Sequence, residues 1–329
     1  MEIPQQLRSA LDAELSSLPP KKIASAVANL SGRYRTGASR GGRGYLQSPE
    51  DIVAYAAFRL PATFAAVHAA LEQVRDRLLD WKPRTLLDVG AGPGTAMWAT
   101  TTLWPALNGI TLLERDEGMA ALGKRLATCS PLAPVREAGW LSVDITGAWV
   151  VPPHDLVVMS YVLGELSQAT GLTLLHKLWA VTAGTLVIIE PGTVAGFLRI
   201  KQAREELLAA GARTIAPCPH DRLCPMGTGD WCHFAQRVER SRLHRYVKAG
   251  ELSYEDEKFS FVALSRIPGT TINGRVIRHP QVRPGHIRLE VCAPEGLITT
   301  IATRKHREVF RRARDLRWGS VVEPGDRKE

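Results

Sequence analysis

The chain has 329 residues, 45% of them hydrophobic, and a formal net charge of +9. Its length suits one large domain with additions or two modest ones, and the charge points to an anionic partner, nucleic acid ahead of membrane. Five cysteines are too few for a disulfide framework, no run of 18 apolar residues suggests a membrane span, and the opening MEIPQQLRSALDAELSSL lacks the apolar segment of a secretory signal. We therefore expect a reducing, cytoplasmic setting, in which clustered cysteines serve as metal ligands.

Residues 4–36 read as two short helices broken at Pro19-Pro20, followed by an Arg- and Gly-rich loop over 37–47. A long helix is expected over 48–81, with Ser48 as N-cap, Pro49 in the first turn and a kink or break at Pro61. The pattern then changes to alternating strands and helices. The strands are RTLLDVG (84–90), GITLLERD (109–116), a weak WLSVDI (140–145), a strong DLVVMSYVL (155–163) and GTLVIIEPG (184–192). Helices are expected over 95–104, 117–128, 165–182 and 197–213. This alternation predicts an α/β fold with a doubly wound, mostly parallel sheet that binds ligands at the strand C-termini. Beyond the cysteines, four β-runs lie within 258–303, a basic helix covers 304–318, and a disordered tail is expected over 319–329.

LLDVGAGPGT (86–95) leaves the first strand and opens a helix. Gly90, Gly92 and Gly94 permit a tight turn and close approach of backbone to ligand. Asp88 sits inside the strand end. Glu114 ends the second strand, where a carboxylate accepts both ribose hydroxyls, and Asp144 follows the third, where it meets an adenine amine. This order resembles class I S-adenosylmethionine (SAM)-dependent methyltransferases. A dinucleotide fingerprint G-x-G-x-x-G would need glycine where Thr95 stands. After the fourth strand, Met159-Ser160-Tyr161-Val162 lacks the Asn/Asp-Pro-Pro-Tyr pattern of amino-directed nucleic-acid methyltransferases. Tyr161 and Glu165 are the candidates for catalysis there, Tyr161 by stacking on a base and Glu165 by polarising a proton, with Glu190 a further carboxylate near the same edge.

Cys218, Cys224 and Cys232 follow a C-x5-C-x7-C spacing. Zinc sites favour C-x2-C knuckles, whereas Pro- and Gly-rich loops with four thiolates suit an iron–sulfur cluster. Cys292 is the favoured fourth ligand, His220 and His233 are the alternatives for zinc, and Cys129 is a bystander. Basic residues crowd the C-terminal third. Arg237, Arg240, Arg242 and Arg245 come first, then Arg304, Lys305, Arg307, Arg311, Arg312, Arg314 and Arg317, and together they suggest a phosphate-binding surface. Lys21, Lys22, Arg33, Arg35, Arg40 and Arg43 are expected to extend it.

RLPATFAAV (59–67), LLDVGAGPGTAMWA (86–99), SYVLGEL (160–166), IIEPGTVAGF (188–197) and CPHDRLCPMGTGDWCHF (218–234) together carry a resemblance to the mitochondrial small-ribosomal-subunit assembly methyltransferase-like proteins and their bacterial relatives. The resemblance implies a four-iron four-sulfur (4Fe-4S) cluster on Cys218, Cys224, Cys232 and Cys292, with zinc as the alternative, and binding to small-subunit ribosomal RNA in a pre-ribosome. The mitochondrial members need a transit peptide, and its absence here points to a bacterial cytoplasmic relative, expected to be monomeric when free, that either methylates RNA or only binds it. The chain accordingly divides into an N-terminal helical region (1–82), a SAM-binding core (83–213), a cysteine-rich insertion (214–250), C-terminal strands with a basic helix (251–318) and a tail (319–329).

Overall fold

The computed structural model describes residues 1–16, 18–36, 48–239 and 253–323. The expected loop at 37–47, with Arg40 and Arg43, lies outside them, as do Arg240, Arg242, Arg245 and the side chain of Arg35.

Helices α1 (Gln5–Ser16) and α2 (Pro20–Thr36) precede the long α3 (Pro49–Arg75). Ser48 caps α3 by accepting the Asp51 N–H, and Glu50 and Asp51 complement the positive end of the helix. Pro61 does not break α3 as expected. Its neighbours Leu60, Ala62 and Phe64 are almost wholly buried, so packing on both sides holds the helix across the missing hydrogen bond. By length and composition α3 resembles a membrane-crossing helix, yet most of it is buried inside the protein, which makes it a core helix.

The main sheet is built from β1 (Thr85–Val89), β2 (Gly109–Glu114), β3 (Gly139–Ser142), β4 (His154–Ser160), β5 (Thr182–Pro191), β6 (Arg213–Ala216), β7 (Phe234–Glu239) and β8 (Tyr254–Ser265). The connecting helices are α4 (Thr95–Leu103), α5 (Glu117–Ala127), the short α6 (Ala133–Arg136), α7 (Gln168–Ala180) and α8 (Val194–Ala209). Strand order is β3-β2-β1-β4-β5-β8-β6, with β7 also paired to β8. The first five strands are mutually parallel and β8 runs antiparallel to β5, β6 and β7. Register aligns Val89 with Leu113 and with Met159, so the strand C-termini share one edge. Strand order reverses between β1 and β4, which opens the crevice where such sheets bind ligands. Apolar layers cover both faces: α1 to α5 pack on one side, α7 and α8 on the other.

The strands after the cysteines fall in two sheets. β8 belongs to the main sheet, so the strands after the cysteines are not one separate unit. A second sheet holds β9 (Gly274–Val276), β10 (Gln281–Arg283), β11 (His286–Ala293), β12 (Gly296–Thr303) and β13 (Val321–Val322). Helix α9 (Arg307–Asp315) packs Ala313, Val309 and Phe310 onto the core of this sheet. α9 is shorter than the 304–318 expected, because a turn over 304–306 precedes it. The tail is also ordered at its start: β13 pairs with β9, and Val322 is fully buried.

Candidate functional site

The glycine loop leaves β1 with Gly90 at φ 65°, Gly92 at φ 55° and Gly94 at φ 78°. These left-handed values explain the three glycines directly, since a Cβ would strain each position. Space reinforces the point at Gly90, where a Cβ would stand 2.6 Å from the Val162 side chain. The N–H groups of Gly90 and Ala91 both donate to the Leu113 carbonyl, at 2.9 and 3.0 Å, which ties the loop to the end of β2. At Gly92 a Cβ would meet only ordinary contacts, with the Met119 terminal methyl at 3.4 Å and the Tyr55 hydroxyl at 3.9 Å.

Glu114 closes this cradle. One carboxylate oxygen accepts the Gly92 N–H and the other the Asp116 N–H, both at 2.7 Å. Each oxygen keeps a lone pair for a further donor. Desolvation raises its pKa despite these bonds. Asp88, a candidate for cofactor binding from the sequence, sits deeper. It is buried under the loop, accepts the Met97 N–H at the start of α4, and has its pKa pushed well up by desolvation. It therefore supports the loop from beneath. Asp144 stands exposed beyond β3, with one oxygen held by the Thr146 N–H and hydroxyl and the other by Arg115 at 3.3 Å. Those bonds, led by the Thr146 hydroxyl, lower its pKa.

Beyond β4, Tyr161 adopts φ 61° as a non-glycine residue, a costly conformation that surrounding contacts must impose. Its N–H donates to the Ile189 carbonyl at 2.7 Å, and its hydroxyl donates to Glu257 on β8 at 2.9 Å. Arg59 of α3 completes the group, bonding Glu257 at 3.2 and 3.4 Å with its guanidinium 5.2 Å from the Tyr161 ring centre. Burial, then the Glu257 charge, pushes the phenol pKa well above its usual value, so the hydroxyl stays a donor. The ring expected to stack on a base is thus engaged within the protein. Glu165 is exposed on the cleft rim, where desolvation and the Glu114 charge raise its pKa. Glu190 is 1% exposed, accepts the Leu163 N–H at 2.9 Å and faces Arg199 at 3.5 Å. Burial pushes it up to about 7. Tyr55, Arg59 and Glu257 were missed by sequence reasoning, because they reach the cleft from α3 and β8 rather than from the ends of parallel strands.

The second site lies where the two sheets meet. Cys218, Cys224, Cys232 and Cys292 line one cavity together with His220, Arg204, Phe197, Met226 and Ile277. Cys218 follows β6, Cys224 and Cys232 lie in the loop before β7, and Cys292 comes from β11. All are free thiols. Desolvation raises Cys218, Cys232 and Cys292, and the charges of neighbouring cysteines add to it. Cys292 is pushed up to about 12. His220 reaches within 3.9 Å of the Cys292 sulfur, whereas His233 stacks on Trp231 at 5.1 Å and meets Trp318 at 4.7 Å. Among the described residues no three His, Cys, Asp or Glu side chains converge closely enough for a single metal ion. Cys129 lies elsewhere and bonds the Leu126 and Gln6 carbonyls.

The basic candidates divide. Arg304, Lys305, Arg307, Arg311, Arg312, Arg314 and Arg317 are all exposed on and around α9. Lys21 and Lys22 are exposed on α2. Arg237 pairs with Asp256 at 3.0 Å, and Arg33 pairs with Asp51.

A model of the family described as "Mitochondrial small ribosomal subunit Rsm22" matches residues 49–323. The human "Ribosome assembly protein METTL17, mitochondrial" is 31% identical over 292 residues, covering 82% of this chain and 61% of that protein. A fission-yeast (Schizosaccharomyces pombe) "Rsm22-cox11 tandem protein 2, mitochondrial" is 23% identical, covering 82% of this chain and 43% of its own length. The chain thus spans less than two thirds of these relatives. Among solved structures, the magnesium protoporphyrin IX methyltransferase of Synechocystis with bound SAM is 13% identical, covering 76% of this chain and 98% of that one at a TM-score of 0.41. The N-methyltransferase NodS of Bradyrhizobium japonicum is 14% identical, covering 60% and 93% at a TM-score of 0.39. With the match running from the first turn of α3 through β13, this chain belongs to the mitochondrial small ribosomal subunit Rsm22 family.

Proposed function

We propose that this protein binds SAM at the glycine loop, holds a 4Fe-4S cluster on Cys218, Cys224, Cys232 and Cys292, and binds small-subunit ribosomal RNA during ribosome assembly. The observation that carries this reading is the meeting of four thiols, from segments up to 74 residues apart in the chain, around one cavity. The relatives' names, ribosome assembly proteins, support the setting. For SAM, the loop backbone would take the methionine side, and the remaining lone pairs of Glu114 would accept the ribose hydroxyls. Asp88 would position the loop, and Asp144 would meet the adenine amine. Bound SAM supplies an electrophilic methyl group.

The cavity fits an anionic group. Nε and Nη1 of Arg204, which lines it, are buried without a well-aligned hydrogen bond. A single zinc ion would need at least three ligands converging on a point, and the described side chains offer none. A multi-atom cluster suits four thiols spread around a cavity. The group would act as a staple between the two sheets.

A specific observation favours a non-catalytic variant of this reading. The Tyr161–Glu257–Arg59 network occupies the end of β4, where an acceptor base would be held. In that variant SAM is a structural ligand and the RNA is held without methylation. Exposed cations around α9 would supply phosphate contacts, which give affinity without sequence reading.

The test is anaerobic purification with iron, sulfide and zinc analysis, followed by co-sedimentation with small subunits across a salt series. Four irons per chain and steeply salt-dependent binding support the reading. A colourless protein holding one zinc ion refutes the cluster. Labelled SAM incubated with immature subunits separates methyl transfer from holding.

A further inference from the structure

Arg204 on α8 is 3% exposed and lines the same cavity as the four thiols. Only part of its guanidinium is used. Nη2 donates to the carbonyls of His220 at 2.6 Å and Arg222 at 2.9 Å, which anchors the cysteine loop. Nε and Nη1 make no well-aligned hydrogen bond. Arg275 on β9 repeats the pattern from the second sheet. It is 2% exposed, donates Nε to Pro217 at 2.9 Å and Nη1 to Gly319 at 2.8 Å, and leaves Nη2 unpartnered. Burial, then the nearby Arg77 charge, works against its cationic form. Both guanidiniums stand next to the thiols: Arg204 lines the cavity within reach of the Cys218 sulfur, and Arg275 lies directly across the β9–β11 ladder from Cys292. Buried charged donors are costly unless an acceptor meets them.

We infer that Arg204 and Arg275 form a cationic donor shell that hydrogen-bonds the sulfur atoms of the group held by the four cysteines. The inference rests on the cluster reading above. Four thiolates around a 4Fe-4S core in its common oxidised state carry a net charge of about −2, and a buried dianion requires opposing charge. Hydrogen bonds and positive charge at the sulfurs favour the more negative, reduced state and so raise the reduction potential. Arg204 therefore has two separable parts: one nitrogen anchors the loop and two remain for the sulfurs. Arg275 likewise joins the β6 end to the C-terminal strands while leaving one buried nitrogen unpartnered.

The test uses the full-length, cluster-loaded protein. Iron and acid-labile sulfide are counted per chain, and the potential of the bound cluster is measured by spectroelectrochemical titration. Wild type is compared with Arg204→Met and Arg204→Lys. Arg204→Met should lower the potential by at least 59 mV, a tenfold change for a one-electron couple. Arg204→Lys keeps the charge with one donor nitrogen, so it should hold iron as wild type does and fall between the two. Loop anchoring alone changes occupancy and leaves the potential of the remaining clusters in place. Wild-type potentials in both variants overturn the inference. So does loss of iron from Arg204→Met that Arg204→Lys fails to restore, since that outcome assigns Arg204 to anchoring only. Wild-type protein without iron and sulfide refutes the cluster reading itself, a result distinct from an unshifted potential.

Discussion

Replacing Glu257 by Gln should expose how the end of β4 is held. Glu257 receives the Tyr161 hydroxyl at 2.9 Å and two Arg59 nitrogens at 3.2 and 3.4 Å. The Arg59 and Glu257 side chains are 21% and 14% exposed. Breaking a fully buried ion pair costs about 3–5 kcal/mol, and the residual exposure here reduces that to roughly 2–3 kcal/mol. Tyr161→Phe removes one hydrogen bond to a charged acceptor, about 1.5 kcal/mol. Because both changes act on the same carboxylate, the double variant should be less destabilised than their sum by about 1 kcal/mol. Urea titration of all four proteins measures this coupling. Additivity within about 0.3 kcal/mol would refute a shared network. The positive φ of Tyr161 would then have to be imposed by the Ile189 bond and packing alone.

Glu114→Ala should weaken SAM binding about 10- to 100-fold by calorimetry, because it removes charged acceptors for the ribose and frees the Gly92 N–H. Unchanged affinity rules out the ribose role. Glu190, with a folded pKa of about 7 above its usual 4.5, binds more protons folded than unfolded between those values. Stability should therefore fall as pH rises from about 5 to 8, by up to roughly 3 kcal/mol. Glu190→Gln should flatten that part of the profile, and an identical slope in both proteins contradicts the assignment. Replacing Arg307, Arg311 and Arg314 together by Ala should lower RNA affinity and reduce the log–log salt slope by about 2–3. A slope equal to wild type removes α9 from the interface.

The five parallel strands and their helices are legible because buried apolar runs such as LLDV and LVVM are bounded by turn residues. The glycine loop and Glu114 are legible for a related reason: the fold places chemistry at strand ends. β6 and β7 escape detection. β6 is four residues long, and β7, FAQRVE, hides a buried Phe234 and Val238 among charges. The antiparallel place of β8 between β5 and β6 is a long-range pairing that no local pattern encodes. Cys292 was reachable from composition, since cysteine is scarce in this chain. Arg204 was not, because an arginine on an amphipathic helix reads as solvent-facing until the cavity beside it is seen.

Completing the thiol cavity from both sheets sets an order on chain synthesis. Cys218, Cys224 and Cys232 leave the translating ribosome first, and β8 must follow before β6 and β7 have a partner. Cys292 appears sixty residues after Cys232. At roughly 5–20 residues per second that is an interval of about 3–12 seconds. During it the nascent chain carries three thiols and no fourth. A chain ended before β11 keeps the glycine loop and β1 to β8 but cannot close the cavity. Quality control that recognises an open cysteine loop would thus distinguish chains that have reached β11 from those that have not.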